Sequence, residues 1–198
     1  MKRIIVPIDF SRYSENAFYS AAKIASKGDA TITCLNVIQS DLDWANLSTS
    51  EKIKNQEILD LEAEAKDKLK KFVATHKIKN TPIEAVVEIG VPYQVLTDLA
   101  HKQNADLIVI GAYGKNREPG KFVGSTTQKV FRNAHCPVLA VKNIVDGRAM
   151  KKLVFASLFN EISKPAFVRL KPFIKSIRTV VYFLYVNTPE NFIDTGNE

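Results

Sequence analysis

The chain has 198 residues, with 28 lysine and arginine residues against 21 aspartate and glutamate residues, a formal net charge of +7. The composition is 45% hydrophobic, 25% charged and 9% aromatic, which excludes disordered, collagen-like and disulfide-rich classes. No apolar run has the length of a membrane span, and the first ten residues lack a signal-peptide pattern. With only two cysteines, the sequence predicts a cytoplasmic protein in a reducing compartment.

The positive charge is not arranged for nucleic acid. Up to Asn143 there are 20 basic and 16 acidic residues, and beyond it there are 8 and 5. Nucleic-acid binding favours a clustered basic stripe with aromatic residues interleaved, and no such stripe is visible. We therefore expect neither a nucleic-acid partner nor a membrane partner.

Strands and helices alternate along the first 142 residues. Five short apolar runs predict strands: KRIIVPI, TITCLNVI, IEAVVEI, ADLIVIGA and CPVLAVK. Helical spacing predicts four helices between them: one from the N-cap Ser11 to Gly28, one over about 50–76, one from Pro92 and one from about Ser125. This order predicts a flavodoxin-like, Rossmann-like α/β three-layer sandwich with a five-stranded parallel sheet in the order 3-2-1-4-5.

In such a sheet, ligands bind beyond the carboxyl ends of the strands, where the strand order reverses. The predicted order puts that point beside the first strand. Asp9 at the end of strand one and the loop after Ile110 are therefore expected to meet in one cleft.

A second copy of the first elements begins near Met150. At a constant offset of 149, KKLVFASLFNEISKPAF (151–167) aligns with KRIIVPIDFSRYSENAF (2–18), and the tail is predicted to be strand, helix and strand. We expect a domain at 1–143, a linker at 144–150 and a partial second domain at 151–198. Pro172 is expected to kink or shorten the second copy's helix. Since a lone β-α-β unit has an incomplete core, either a longer parent chain or a covering partner is implied.

The loop after strand four reads GAYGKNREPGKFVGST, residues 111–126. Two residues separate its first two glycines, nine separate the second from Gly124, and Ser125 opens a helix. Glycines let backbone N–H groups approach an anion, and a helix N-terminus adds unpaired donors, so the loop suits phosphate. Lys115, Arg117 and Lys121 can add charge. Each glycine taken alone is equally compatible with a turn.

Other phosphate-binding loops do not match this spacing. A P-loop has four residues between its glycines and Ser or Thr after the lysine, whereas five residues separate Gly114 from Gly120 and Phe122 follows Lys121. No G-x-G-x-x-G follows strand one, which argues against a dinucleotide-binding domain.

The complete pattern resembles the universal stress protein family, in its ATP-binding branch. The family signature of Gly, two residues, Gly, nine residues, Gly and then Ser or Thr is matched at Gly111, Gly114, Gly124 and Ser125. VPIDFS at the end of strand one and HCPVLAVK in strand five are also similar to the family. The resemblance covers residues 1–142, and 151 to about 187 as the start of a second, degenerate domain of a tandem protein.

The resemblance implies a set of ATP-binding residues. Asp9 is expected to contact the nucleoside, the backbone of Val37 to read the adenine edge and Gly111 to lie against the ribose. The cofactor-binding residues are then Pro7, Ile8, Asp9, Val37, Gly111, Gly114, Gly124, Ser125 and Thr126. Asp9 has a competing role as a helix-cap acceptor, and Tyr113 is expected to be a surface aromatic. Leu158 replaces Asp9 in the second copy, so no nucleotide is expected there.

No catalytic set or metal site can be assembled from local motifs. The leading hypothesis is a nucleotide-dependent stress-response or signalling module without dedicated catalysis, forming a homodimer and acting on an unidentified protein partner. One alternative is a slow ATPase or phosphotransferase in the same pocket, with Mg²⁺ held mainly by the phosphates of ATP. Another is a nucleotide-free scaffold that dimerises through strand five, as family members often do.

Overall fold

The structure, a computed structural model, describes residues 1–26, 29–115, 123–146 and 150–186. The first unit contains β1 (Arg3–Pro7), α1 (Arg12–Ala25), β2 (Thr31–Gln39), α2 (Thr49–Lys54), α3 (Gln56–Thr75), β3 (Ile83–Gly90), α4 (Pro92–Lys102), β4 (Leu107–Gly111), α5 (Ser125–Asn133) and β5 (Val138–Val141). The second unit contains β6 (Lys152–Ala156), α6 (Ser163–Ile177) and β7 (Val180–Leu184). Over the described ranges, no helix is both long and apolar enough to cross a membrane.

The sheet of the first unit confirms the predicted topology. Its five strands are parallel and lie in the order β3-β2-β1-β4-β5. Ile4, Ile5 and Val6 of the central strand β1 are fully buried, because helices cover both faces of the sheet. On one face α1 and α3 contribute Phe18 and Leu69 to the core, and on the other α4 and α5 contribute residues of a second cluster.

Helix α1 begins as predicted. Ser11 is its N-cap, and the Ser11 side chain accepts a hydrogen bond from the backbone N–H of Ser14 at 3.3 Å. The Gly28 that was expected to end this helix lies outside the described residues.

The helix predicted over 50–76 is two helices, α2 and α3, separated at Asn55. This residue has φ −102° and ψ 56°, outside the helical region, and its side-chain amide donates to the carbonyl of Glu51 at 2.9 Å. The helical phase therefore changes at Asn55. Ile53 of α2 is 61% exposed, whereas Leu69 of α3 is fully buried.

The second unit repeats the backbone pairing of the first. Strands β6 and β7 are parallel and pair in the same register as β1 and β2 at an offset of 149. The N–H of Ser157 donates to the carbonyl of Leu184 at 3.0 Å, just as the N–H of Ile8 donates to the carbonyl of Leu35 at 2.7 Å. A partial β-α-β copy is therefore present, while the exact domain boundaries at 143 and 151 stay a prediction.

Pro172 does not shorten α6, and the kink that was the other expected outcome stays a prediction. Proline has no N–H to donate to the carbonyl of Val168, yet the helix continues to Ile177. Phe173 and Ile177, both beyond the proline, are buried in the same cluster as Phe18 of the first unit. Burial of the last turn offsets the lost hydrogen bond and attaches the second unit to the first.

Replacing Ile177 with alanine is expected to lower the free energy of unfolding by about 2 to 5 kcal/mol, because the side chain is 4% exposed in the shared core. The matched control is Ile162→Ala, since Ile162 is 79% exposed, and a change within about 0.5 kcal/mol is expected for it. Urea unfolding followed by circular dichroism measures both. Equal effects of the two substitutions would show that α6 does not share the core of the first unit.

Candidate functional site

A cavity of about 520 Å³ opens at the carboxyl ends of β1, β2 and β4. Its volume lies in the range of small-molecule sites, roughly 300 to 1,000 Å³. The nine residues expected from the sequence all line it: Pro7, Ile8, Asp9, Val37, Gly111, Gly114, Gly124, Ser125 and Thr126. The strand order brings them together, because β1 and β4 are neighbours at the point where the order reverses.

Asp9 joins the end of β1 to the glycine loop. Its Oδ1 accepts a hydrogen bond from the backbone N–H of Ser11 at 3.0 Å, and its Oδ2 accepts one from the backbone N–H of Lys115 at 2.9 Å. The Asp9 side chain therefore both accepts a hydrogen bond near the start of α1 and lines the cleft. Carboxylate oxygens have further lone pairs, so Asp9 can also accept hydrogen bonds from a ligand.

The residue after Asp9 has an unusual backbone. Phe10 has φ 61°, in the left-handed region that non-glycine residues seldom adopt. This turn directs the chain from β1 into α1 and leaves Asp9 in the cavity wall. Phe159, at the equivalent position of the second unit, has φ 52°, so the turn is a property of both copies rather than of the ligand site alone.

The three signature glycines have different surroundings. A Cβ on Gly111 would lie 2.8 to 2.9 Å from Tyr13 of α1, so this glycine is required for the approach of the helix. A Cβ on Gly114 would lie 3.2 Å from Oδ2 of Asp9, which places that glycine at the cavity. A Cβ on Gly124 would make only ordinary contacts of 3.5 Å or more with the protein.

Helix α5 presents its amino end to the cavity. Gly124 is its N-cap and supplies no side-chain cap, and the first-turn residues Ser125 and Thr126 are exposed at the cavity wall. Uncapped N–H groups and the positive end of the helix dipole favour an anion at this point. The buried Thr127 hydroxyl donates to the carbonyl of Gly111 at 3.0 Å and so fixes the helix to the end of β4.

Tyr113 is buried, with 6% of its surface exposed, which contradicts the expectation of a surface aromatic. Its ring packs edge-on against Tyr13 of α1 at 5.2 Å, and the Lys142 ammonium lies 5.4 Å from its centroid. The loop between β4 and α5 therefore folds back onto α1 at Tyr113. Arg117 and Lys121, expected to add positive charge, lie outside the described residues, whereas Lys115 lines the cavity.

The opposite end of the cavity is more apolar. Leu35 and Leu96 are buried there, and Val37 lies on the wall at the end of β2. The side-chain amide of Asn36 donates to the carbonyl of Ile8 at 2.6 Å, which ties β2 to β1 beside Val37. A planar apolar group fits this end and an anion fits the other.

Sequence reasoning missed three residues that shape the site. Thr127 and Asn36 make the side-chain hydrogen bonds described above, and Tyr13 packs against the loop tyrosine. Asn36 is a polar residue near the end of a buried strand, and this position is a sequence signal for a side-chain hydrogen bond. The other two depend on which helix faces which strand, which local patterns do not encode.

Within the described residues, the cysteines and histidines do not form a reactive centre or a metal site. Burial raises the pKa of Cys34 to about 12 and is the largest cause raising that of Cys136 to about 11, so both stay protonated thiols at neutral pH. His101 and His135 have ring centroids 5.1 Å apart. Across the described ranges, no group of three or more metal-binding side chains is present.

We expect Gly111→Ala to destabilise the fold by about 1 to 3 kcal/mol, because the new methyl group would overlap Tyr13. Gly124→Ala is the matched control and is expected to cost less than about 1 kcal/mol, the usual loss at an N-cap. Thermal and urea unfolding of the two variants measure this difference. A Gly111→Ala protein as stable as the wild type would contradict the close approach of α1.

The fold and the site define a class of protein: a doubly wound α/β domain with a ligand cleft at the switch point and a glycine-lined helix amino end in it. The chain belongs to the universal stress protein family, whose family model matches residues 1–142. A universal stress protein of Methanocaldococcus jannaschii is 33% identical in an alignment of 149 residues that covers 71% of this chain and 82% of that protein.

Two solved structures share the fold. A universal stress protein of Archaeoglobus fulgidus has a TM-score of 0.61 at 15% identity, with 96% of this chain and 68% of that chain covered. A universal stress protein family structure from Arabidopsis thaliana has a TM-score of 0.50 at 20% identity, with 74% of this chain and 94% of that chain covered. The first match extends over both units described above.

Proposed function

We propose that the first unit binds ATP in the cleft and serves as a nucleotide-dependent stress-response or signalling module. The observation that carries this proposal is the meeting of Asp9, the glycine loop and the uncapped end of α5 around one cavity. The Arabidopsis structure of the same fold has AMP bound, which supports an adenine nucleotide as the class of ligand.

The nucleoside belongs at the end formed by β1 and β2. An adenine ring suits the apolar wall of Leu35 and Leu96, with the backbone of Val37 at its edge. Asp9 then accepts from ribose hydroxyl groups, which are donors. Pro7 and Ile8 flank the sugar.

The phosphates belong at the amino end of α5. The backbone N–H groups of Gly114 and of the first turn of α5 and the hydroxyl groups of Ser125 and Thr126 are donors suited to phosphate oxygens. The N–H of Gly124 itself donates to the carbonyl of Ala112 at 2.8 Å. Lys115 supplies positive charge at the same rim. Where Mg²⁺ accompanies ATP, we place it on the phosphates, because the described residues offer no cluster of three protein ligands.

Binding rather than turnover is the proposed activity. Hydrolysis needs a base that activates water, and Asp9 already accepts from two backbone N–H groups. A slow ATPase or phosphotransferase is the rival function in the same pocket.

Three further expectations stay predictions: a homodimer, an unidentified protein partner and a cytoplasmic location. The homodimer would form through the open edge of β5, where Val138, Leu139 and Ala140 are half-buried.

Gly124→Val is expected to weaken ATP binding at least about tenfold, because a branched side chain would fill space beside the phosphate donors. Gly124 has φ −64° and ψ 152°, which valine adopts readily, so the melting temperature should change little. Isothermal titration calorimetry measures the affinity. Unchanged affinity in a folded Gly124→Val protein would contradict the phosphate assignment.

Asp9→Asn is expected to weaken ATP binding about tenfold, since an amide oxygen accepts a weaker hydrogen bond from ribose than a carboxylate does. Adenine alone should bind both proteins equally, which separates the ribose contact from general damage. Phosphate release is measured in the same samples with Mg²⁺. Steady release that disappears in Asp9→Asn would favour the ATPase over the module.

A further inference from the structure

One buried hydroxyl group lies between the end of β4 and helix α5. Thr127 is the third residue of α5 and is 3% exposed, whereas Ser125 and Thr126 before it are exposed at the cavity wall. The Oγ1 of Thr127 donates to the carbonyl of Gly111, the last residue of β4, at 3.0 Å. The three consecutive hydroxyl residues are therefore divided: two lie exposed at the cavity wall, and one is bonded to the sheet.

The amino end of α5 is attached to the end of β4. Among the described residues, two hydrogen bonds make this attachment: the Thr127 hydroxyl bond, and a bond from the N–H of Gly124 to the carbonyl of Ala112 at 2.8 Å. The acceptors are held by the sheet, because β4 pairs with β5 as far as Gly111 and the N–H of Ala112 donates to the carbonyl of Val141 at 2.8 Å. The start of the helix is thus fixed directly to the sheet.

Apolar packing gives α5 a small area of attachment. The buried residues of this nine-residue helix are Thr127 and Val130. Val130 shares a core cluster with Leu96 of α4, and the Lys129 ammonium lies 5.1 Å from the ring centroid of Tyr93 of the same helix. Both contacts come from the second turn of α5. The orientation of the first turn therefore depends on the two hydrogen bonds to the end of β4.

The first turn of α5 carries the donors proposed for phosphate. The N–H of Gln128 makes the first intrahelical hydrogen bond, to the carbonyl of Gly124 at 3.0 Å. The N–H groups of Ser125, Thr126 and Thr127 precede that bond and have no partner within the helix. These donors point along the helix axis, as does the positive end of the helix dipole. A small rotation of the first turn would therefore redirect all of them together.

The nucleoside end of the cleft is held by different hydrogen bonds. The Asn36 amide donates to the carbonyl of Ile8 at 2.6 Å, and Asp9 accepts from the N–H of Ser11 at 3.0 Å. These bonds join β1 to β2 and to α1. A change at Thr127 is therefore expected to reach the phosphate end of the cleft and to leave the nucleoside end in place.

We propose that Thr127 is a positioning residue that sets the preference of the cleft for nucleotides over nucleosides. Its hydroxyl fixes the first turn of α5 against Gly111, and the donors of that turn then hold the phosphate oxygens. The inference rests on the proposed function, because it assigns the strength of the phosphate contacts to a hydroxyl group that is bonded to the sheet. Valine has nearly the shape of threonine and no hydroxyl donor, so a valine substitution isolates this bond.

The test compares ATP with adenosine on the full chain. Thr127→Val is expected to weaken ATP binding at least about fivefold, because the carbonyl of Gly111 loses its donor and the first turn of α5 loses an attachment. Adenosine affinity should stay within about twofold. Thr127→Ser keeps the donor, so its ATP affinity should also stay within about twofold of the wild type. Isothermal titration calorimetry measures ATP binding, and heteronuclear NMR titration measures the weaker binding of adenosine.

Thr33→Val is the matched control for a lost buried hydroxyl. Thr33 is 2% exposed, its hydroxyl donates to Oε1 of Gln103 at 3.1 Å, and it is not among the residues that line the cavity. Both ligands should bind this variant within about twofold of the wild type, and melting temperatures report the stability of every variant. Thr127→Ala removes the hydroxyl with no added bulk, and the same selective loss of ATP affinity is expected for it.

The outcomes separate this inference from the function on which it rests. A wild-type chain that binds no ATP would overturn the proposed function and the inference with it. A wild-type chain that binds ATP as tightly as Thr127→Val does would overturn the inference alone. Equal losses of ATP and adenosine affinity, a loss that Thr127→Ser shares, or a comparable loss in Thr33→Val would do the same. If neither Thr127→Val nor Thr127→Ala folds, the hydroxyl serves stability and the inference is wrong.

Discussion

The carboxylate of Asp9 joins the end of β1 and the start of α1 to a loop that is distant in sequence. It accepts from Ser11 at the start of α1 and from Lys115 in the loop after β4, 106 residues further along the chain. A side chain on Gly114 would crowd that carboxylate, because its Cβ would lie 3.2 Å from Oδ2 of Asp9. The shape of the cleft therefore depends on one short pair of hydrogen bonds at the end of β1.

The sheet makes this meeting possible. Ile4, Ile5 and Val6 are fully buried between two helical layers, so β1 has little freedom to shift relative to β4. A rigid strand end then presents Asp9 at a fixed place, while the ligand-facing donors come from a loop and a helix terminus. This division suits the proposed nucleotide site, with the phosphates on one side and the adenine ring on the other.

The two units share a backbone arrangement but differ in the side chain at the position of Asp9. Phe10 and Phe159 share the left-handed turn, and the strand registers are the same. Leu158, at the place of Asp9, is 65% exposed and offers no acceptor. Backbone geometry follows from strand pairing and turn conformation, whereas the proposed nucleotide contact at this position depends on one side chain, so the two can diverge.

The sequence by itself determined the alternation of strands and helices and the repeat at an offset of 149, because periodicity is a local pattern. The strand order followed from the fold type that this alternation indicates, and the nine cavity-lining residues followed from the resemblance to the universal stress protein family. Only the tertiary structure decided the break at Asn55, the helix that continues past Pro172, the buried Tyr113 and the pairing of Thr127 with Gly111. The last three depend on contacts between elements far apart in the chain, where packing and buried hydrogen bonds outweigh local preference. The break at Asn55 follows from the backbone angles of that residue and its hydrogen bond to Glu51.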